Sequence, residues 1–113
     1  MEDCIFCRIA SGEIPSDIVL EDGRFVAFRD IHPKAPVHVL IVPREHIVSL
    51  NDVHLWQGCQ GQHLLEFIAQ VARELGVDKT GYRVLTNTGP DGGQEVQHLH
   101  FHLLGGENLG DFR

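Results

Sequence analysis

The chain has 113 residues, the size of one domain, since domains cluster near about 100 to 150 residues, and a multidomain machine is excluded. A hydrophobic fraction of 42% with 22% charged residues is enough to build a core without obligatory disulfide or metal staples and excludes disorder throughout. Nine Lys and Arg against sixteen Asp and Glu leave a net charge of −7, which argues against a surface built to neutralise nucleic-acid phosphates or to dock on anionic lipid.

No apolar run approaches the roughly 18 residues that span a bilayer. The start, Met1-Glu2-Asp3-Cys4, is acidic rather than the basic head of a signal peptide, so a soluble, cytoplasmic protein is expected. In that setting the odd set Cys4, Cys7 and Cys59 reads as reduced thiols or metal ligands rather than as a disulfide framework. No long linker, low-complexity tract or internal repeat divides the chain, and one domain over residues 1–113 is expected.

In chain order, a short helical turn is predicted over Asp3–Ala10, then a loop at Ser11–Pro15. Ile18–Glu21 and Phe25–Arg29 form a hairpin if Asp22-Gly23 supplies the positive φ of a tight turn. Ile31–Pro36 is a loop, because its two prolines lack donors and restrict their neighbours. Val37–Val42 is a β-branched run ended by Pro43. Period two puts His38, Leu40 and Val42 on one face and Val37, Val39 and Ile41 on the other, both buried except near His38. Trp56 and Gly58–Gly61 precede the one long helix, over Gln62–Leu75, and are read as packing residues. Along that helix Leu64, Leu65, Ile68, Val71, Ala72 and Leu75 recur at helical spacing and Gly76 stands as the C-terminal cap. Tyr82–Asn87 and Leu99–Leu104 supply two more strands, with the glycine-rich Thr88–Gly93 between them. The fold class is α+β, with about five mostly antiparallel strands and one main helix.

The strongest chemical signal is His98-Leu99-His100-Phe101-His102, in which three imidazoles alternate with apolar residues. On a strand all three point to one face, about 6.5 to 7 Å apart, while Leu99, Phe101 and Leu103 face the core. A half-exposed strand explains alternation but not the choice of histidine three times. A single tetrahedral zinc needs ligands roughly 3 to 3.5 Å apart, so one or two of the three at most would serve one ion. The neighbouring Gly89–Gln94 segment carries backbone donors able to cradle an anion. Histidine beside such a cradle points to phosphoryl or nucleotidyl chemistry.

His98–Leu104 followed by Gly105-Gly106 resembles the signature of the histidine triad (HIT) nucleotide-binding proteins, and within them the Hint branch of nucleoside phosphoramidate hydrolases. The resemblance extends over Cys4–Cys7, Gly12–Pro15, Phe28–Ile31, Pro36–His38, Pro43–His46, Asn87 and Asp91–Gln94. It implies a five-stranded antiparallel sheet that pairs with a second copy into one continuous sheet in a homodimer. It also implies that His100 attacks the α-phosphorus of a purine nucleoside 5′-phosphoramidate, an AMP-lysine type adduct for instance. An amine is displaced and a transient nucleotidyl-histidine is left for water to hydrolyse, releasing AMP, with no cofactor for catalysis. A neutral imidazole is a competent nucleophile near pH 7, and a covalent intermediate divides one hard displacement into two easier steps.

By the same resemblance His102 lies near the phosphate oxygens and leaving nitrogen, where a cationic imidazole stabilises charge or delivers a proton, and His38 orients the triad. Asp30 accepts from the ribose hydroxyls, although alone it reads equally as a turn residue. Phe28 and Ile31 line the base pocket, and Asn87, Gly93 and Gln94 surround the phosphate. Glu95 stands where the family often has Ser, and is left outside the site. The tail Glu107–Arg113 departs from the branch as well. A structural zinc held by Cys4, Cys7, His46 and His98 is implied, beside the alternative of two small buried thiols. Cys59 earns no role, and His32, His54 and His63 are read as solvated or locally bonded. Two other readings are a nucleotide-binding regulatory dimer and a dinucleoside polyphosphate hydrolase of a neighbouring branch.

Overall fold

Turn chemistry joins the first two strands, though not through glycine. A computed structural model describes residues 3–112, so Met1, Glu2 and Arg113, the ends of the expected 1–113 unit, lie outside the described residues. In it β1 (Ile18–Glu21) and β2 (Phe25–Arg29) pair antiparallel as predicted. Gly23 does not adopt a positive φ. Instead the Asp22 carboxylate closes the turn, its Oδ1 accepting from the amides of Arg24 and Phe25 at 2.8 Å each, as Asx turns do.

β2 pairs along its whole length with the Val39–Pro43 part of β3 (Val37–Pro43), Phe25 facing Pro43 and Arg29 facing Val39. Its period-two faces fall as predicted. Val39 and Ile41 join Phe25, Ala27 and Leu103 on the side covered by the long helix, while Leu40 and Val42 join Val26 and Phe28 on the other. His38 was expected at an exposed margin, and it is buried because the 30–34 connection and His102 close over it.

The short first helix, α1 (Ile5–Ala10), sets Phe6 and Ala10 into the second of these faces. The long helix, α2 (Gln60–Glu74), begins two residues before the predicted start. It buries Leu64, Phe67, Ile68, Val71 and Ala72, whereas Leu65, placed in the apolar stripe by the sequence, is 67% exposed. Phe67, three residues after Leu64, takes the inward position. Gly76 ends the helix at φ 75°, and the amides of Gly76 and Val77 bond back to the carbonyls of Arg73 and Ala72, a Schellman closure that a left-handed glycine permits. A 3-10 helix over Leu50–Leu55, capped by Ser49 Oγ on the Asn51 amide, had no sequence prediction. Trp56 packs as expected, against Phe25.

β4 (Tyr82–Leu85) and β5 (Phe101–Gly105) are shorter than the predicted strands. Their ladder stops at Leu85 and His102. Beyond it the Leu99 amide bonds to the Ile47 carbonyl, in the segment after β3, and Thr86 Oγ1 donates to the His100 carbonyl. The five strands form one antiparallel sheet in the order β1-β2-β3-β5-β4. The fold is thus the α+β arrangement expected, with β5 inserted between β3 and β4.

Candidate active site and metal cluster

His38 from β3, His102 from β5 and His100 from the extended lead-in to β5 converge on a cleft of about 450 Å³. Of the His98, His100 and His102 triad only His102 lies within a strand, yet alternation continues upstream. The His98 and His100 rings meet Phe6 on the α1 side, with centroids 6.0 and 5.0 Å away. Leu103 turns into the helix-side core with Phe101 packed against it, and Leu99 is buried.

Hydrogen bonds fix the tautomer of each ring. The Lys34 amide donates to His38 Nδ1 at 3.1 Å, so the neutral His38 ring carries its proton on Nε2. That Nε2 lies 2.9 Å from His102 Nδ1 and 3.5 Å from Asp30 Oδ2. His102 Nδ1 therefore accepts, and its own proton rests on Nε2. His100 Nδ1 donates to the His98 carbonyl at 2.8 Å, which leaves the Nε2 lone pair of His100 without a proton and available as a nucleophile.

Burial lowers the pKa of His38, the charge of Lys34 adding to the fall and Asp30 opposing it. His102 is pushed down to about 4 by burial and then by the charges of His100 and His38, again against Asp30. In the free cleft both rings are neutral near pH 7. In the free cleft His102 therefore presents its neutral Nε2–H as a hydrogen-bond donor.

Around these rings the cleft is lined by Phe28, Asp30, Ile31, Asn87 and Gly93. Phe28 is buried against Phe6, while Ile31 is 85% exposed at the edge. Asp30 makes the local turn, its Oδ1 accepting from the His32 amide at 2.8 Å, and its Oδ2 faces His38. Gln94 is not among the lining residues. Its amide group instead braces the glycine-rich loop, accepting from the Gly89 amide and donating to the carbonyls of Val48 and Val96.

The amides of Gly89, Gly93 and Gln94 are all bonded within that loop, so these three are not free to bind an anion. A Cβ on Gly92 would lie 2.5 Å from the Thr88 carbonyl oxygen, which accounts for glycine there. Glu95, left out of the predicted site, does line the cleft, as do Ile5, Phe6, Ile9, His32 and Lys34. The signal that could have found the α1 residues is their interleaving with Cys4 and Cys7. The role of Thr86 depends on a 14-residue return of the chain that no local pattern announces. Of the remaining histidines, His54 Nδ1 bonds locally to the Asn51 carbonyl, but His63 Nε2 reaches Asp22 Oδ2 at 2.7 Å and ties α2 to the β1–β2 turn.

Cys4, Cys7, His46 and His98 gather behind the cleft with all four potential ligand atoms within 4.8 Å of one another. His98 Nδ1 lies 3.2 Å from Cys4 Sγ and 3.5 Å from Cys7 Sγ, and His46 Nδ1 is 3.3 Å from Cys7 Sγ. His98 Nε2 donates to the Pro43 carbonyl at 2.9 Å, which fixes its tautomer so that Nδ1 presents a lone pair to the thiols. Burial, followed by the hydrogen bond and charge of Cys4, pushes the Cys7 thiol up to about 11. A divalent cation reverses that logic by binding thiolates. The cluster can hold a metal, and its two thiols and two imidazoles have the chemistry of a closed tetrahedral site.

Comparison with known proteins places this geometry. The chain is 46% identical over 109 residues to the purine nucleoside phosphoramidase of Escherichia coli, covering 96% of this chain and 92% of that protein. A histidine triad protein from Clostridium difficile superposes with a TM-score of 0.93 at 49% identity, covering 100% of this chain and 98% of that one. The histidine triad nucleotide-binding protein of Candida albicans gives 0.80 at 37% identity, over 89% and 73% of the two chains. The HIT domain model matches residues 11–109, a span that holds all three triad imidazoles and His38, and the chain belongs to the HIT family.

Proposed function

We propose that this protein hydrolyses the P–N bond of purine nucleoside 5′-phosphoramidates through a nucleotidyl-His100 intermediate. The observation that carries the reading is the tautomer of His100. Its Nδ1–H is bound to the His98 carbonyl, and the opposite nitrogen is left as a lone pair on a ring that lines the cleft. That lone pair forms the bond to phosphorus. Phosphoramidates protonate on nitrogen, so the amine departs with the P–N electron pair as a neutral molecule. Water then breaks the His100–phosphorus bond, releasing AMP and restoring the imidazole. His102 Nε2–H and Asn87 are the donors for the phosphate oxygens, and the phosphoryl anion beside His102 favours its protonated form as further negative charge develops on those oxygens. Phe28, Ile31 and Asp30 hold the nucleoside. The 46% identity to the E. coli phosphoramidase supports the substrate class.

Cys4, Cys7, His46 and His98 would hold a structural zinc, whose contribution is to fasten α1 to the segment that carries His100. We also assign a second copy of this chain as partner. β4 is an edge strand with Tyr82, Val84 and Leu85 all exposed, and an exposed apolar edge invites pairing. The three free cysteines suit a reducing, cytoplasmic setting. Among the described residues no helix is long and apolar enough to cross a membrane.

The test is AMP release from adenosine 5′-phosphoramidate by the wild type and His100→Ala, alongside AMP titrations. Removal of the nucleophile is expected to lower turnover by roughly three orders of magnitude or more with AMP binding retained. Turnover that survives in the variant overturns the assignment of His100. Binding without turnover in the wild type makes the chain a nucleotide-binding module instead.

A further inference from the structure

Glu95 is held at the cleft by its neighbours. The Gln94 side chain is bonded at three points, to the Gly89 amide and to the Val48 and Val96 carbonyls, and the Val96 side chain packs against the core beneath α1. The backbone between them is therefore fixed. The exposed Glu95 side chain borders the same cleft as His100, His102, Asn87 and Gly93. Its carboxylate takes part in none of the ion pairs among the described residues.

The cationic side chains of the cleft lie elsewhere. Arg29 and Lys34 both come from the end of β2 and the connection to β3, and Arg29 is already paired with Asp17 at 3.3 Å. The lining thus carries Arg29, Lys34 and an Asp30 carboxylate turned to His38 on the 29–34 stretch, and a carboxylate without a countercharge just after the glycine-rich loop. A carboxylate so placed repels anionic phosphate and attracts positive charge. Base, ribose and phosphate already have partners in Phe28 and Ile31, in Asp30, and in His102 and Asn87. The leaving amine is the part of the substrate that remains.

We infer that Glu95 is a specificity-determining residue, selecting phosphoramidates whose leaving amine carries a second, cationic amino group over those with a neutral or anionic leaving group. The inference rests on the phosphoramidase reading of the cleft and adds a leaving-group preference to it. The reaction itself is unchanged, with His100 Nε2 bonding to phosphorus as the amine departs. Glu95 acts on the distal ammonium, which neither gains nor loses a proton.

Two nearly isosteric substrates test it: adenosine 5′-phosphoramidates of 1,3-diaminopropane, with a distal ammonium, and of n-butylamine, without one. The wild type is expected to favour the diamine adduct in kcat/KM by about tenfold at low ionic strength, the ratio shrinking as salt screens the pair. Glu95→Gln is expected to bring the ratio to about one, and Glu95→Lys to reverse it. The salt dependence needs no variant, so the inference does not depend on how substitutions fold. Equal kcat/KM for the two adducts in the wild type overturns it, as does a preference that survives Glu95→Gln, while the phosphoramidase reading stands in both cases. Failure of the wild type to cleave either adduct overturns that reading and this inference with it.

Discussion

His102 shows how a hydrogen-bonded, buried imidazole links protonation to stability. An unfolded chain protonates this ring near the ordinary value of 6.5, and the folded chain only at about 4, because burial and the neighbouring His100 and His38 charges oppose the cation. Between those values the unfolded state binds more protons, so stability falls as pH falls. The stability from keeping His102 neutral is complete above about 6.5 and gone near 4, and His38, also lowered, acts in the same direction. The thermal midpoint is therefore expected to drop over that window. His102→Asn, which cannot take the proton, is expected to drop less steeply in the same melting series, and parallel slopes would assign the loss to other groups. At this scale the sequence showed which residue types gather, but not the state of each ring. His38 depends on the amide of Lys34 and His102 on His38, and those contacts exist only once the 30–34 connection closes over β3. For the same reason Gln94 reads as a phosphate ligand in sequence and as a loop brace in three dimensions.

α1 is the element that the metal cluster and the cleft share. Cys4, at its N-cap, and Cys7 face His46 and His98, while Ile5, Phe6 and Ile9 line the cleft. Phe6 touches His100, and the His98 carbonyl accepts from the same ring. Anything that loosens α1 therefore reaches His100 along two routes. Chelation of a bound metal is expected to lower the melting temperature and to weaken AMP binding by about fivefold or more, with AMP in turn raising metal affinity by the same factor, as linkage requires. An AMP affinity unchanged by chelation would show that the two sites are independent. Elements were the most legible level in the sequence, because alternation in β3 and the 3.6-residue period of α2 follow directly from which side chains face the core. Their ends were less so. β4 and β5 stop early because Leu99 bonds to Ile47 and Thr86 to His100, pairings across distant segments that propensity does not encode. Leu65 was misplaced because a helical stripe has a margin, and only the packed sheet decides that Phe67 is inside it.

Over the whole molecule, α2 and α1 cover opposite faces of the sheet and leave β4 at its edge, with Tyr82, Val84 and Leu85 exposed and Leu65 exposed on α2. If this edge joins a second copy, Val84→Lys is expected to shift the mass in sedimentation from twice 12.6 kDa towards 12.6 kDa. An unchanged mass would place any interface elsewhere. The strand order has a consequence of another kind, in the path of folding. β4 pairs with β5 alone, and β5, last of the five strands in the chain, must enter between it and β3. Until that late, long-range closure is made, β4 has no sheet to join and β3 has an open side. His102 arrives only with the strand that completes the sheet, so the cleft is closed in the same step in which the chain stops being a half-built sheet with a sticky edge.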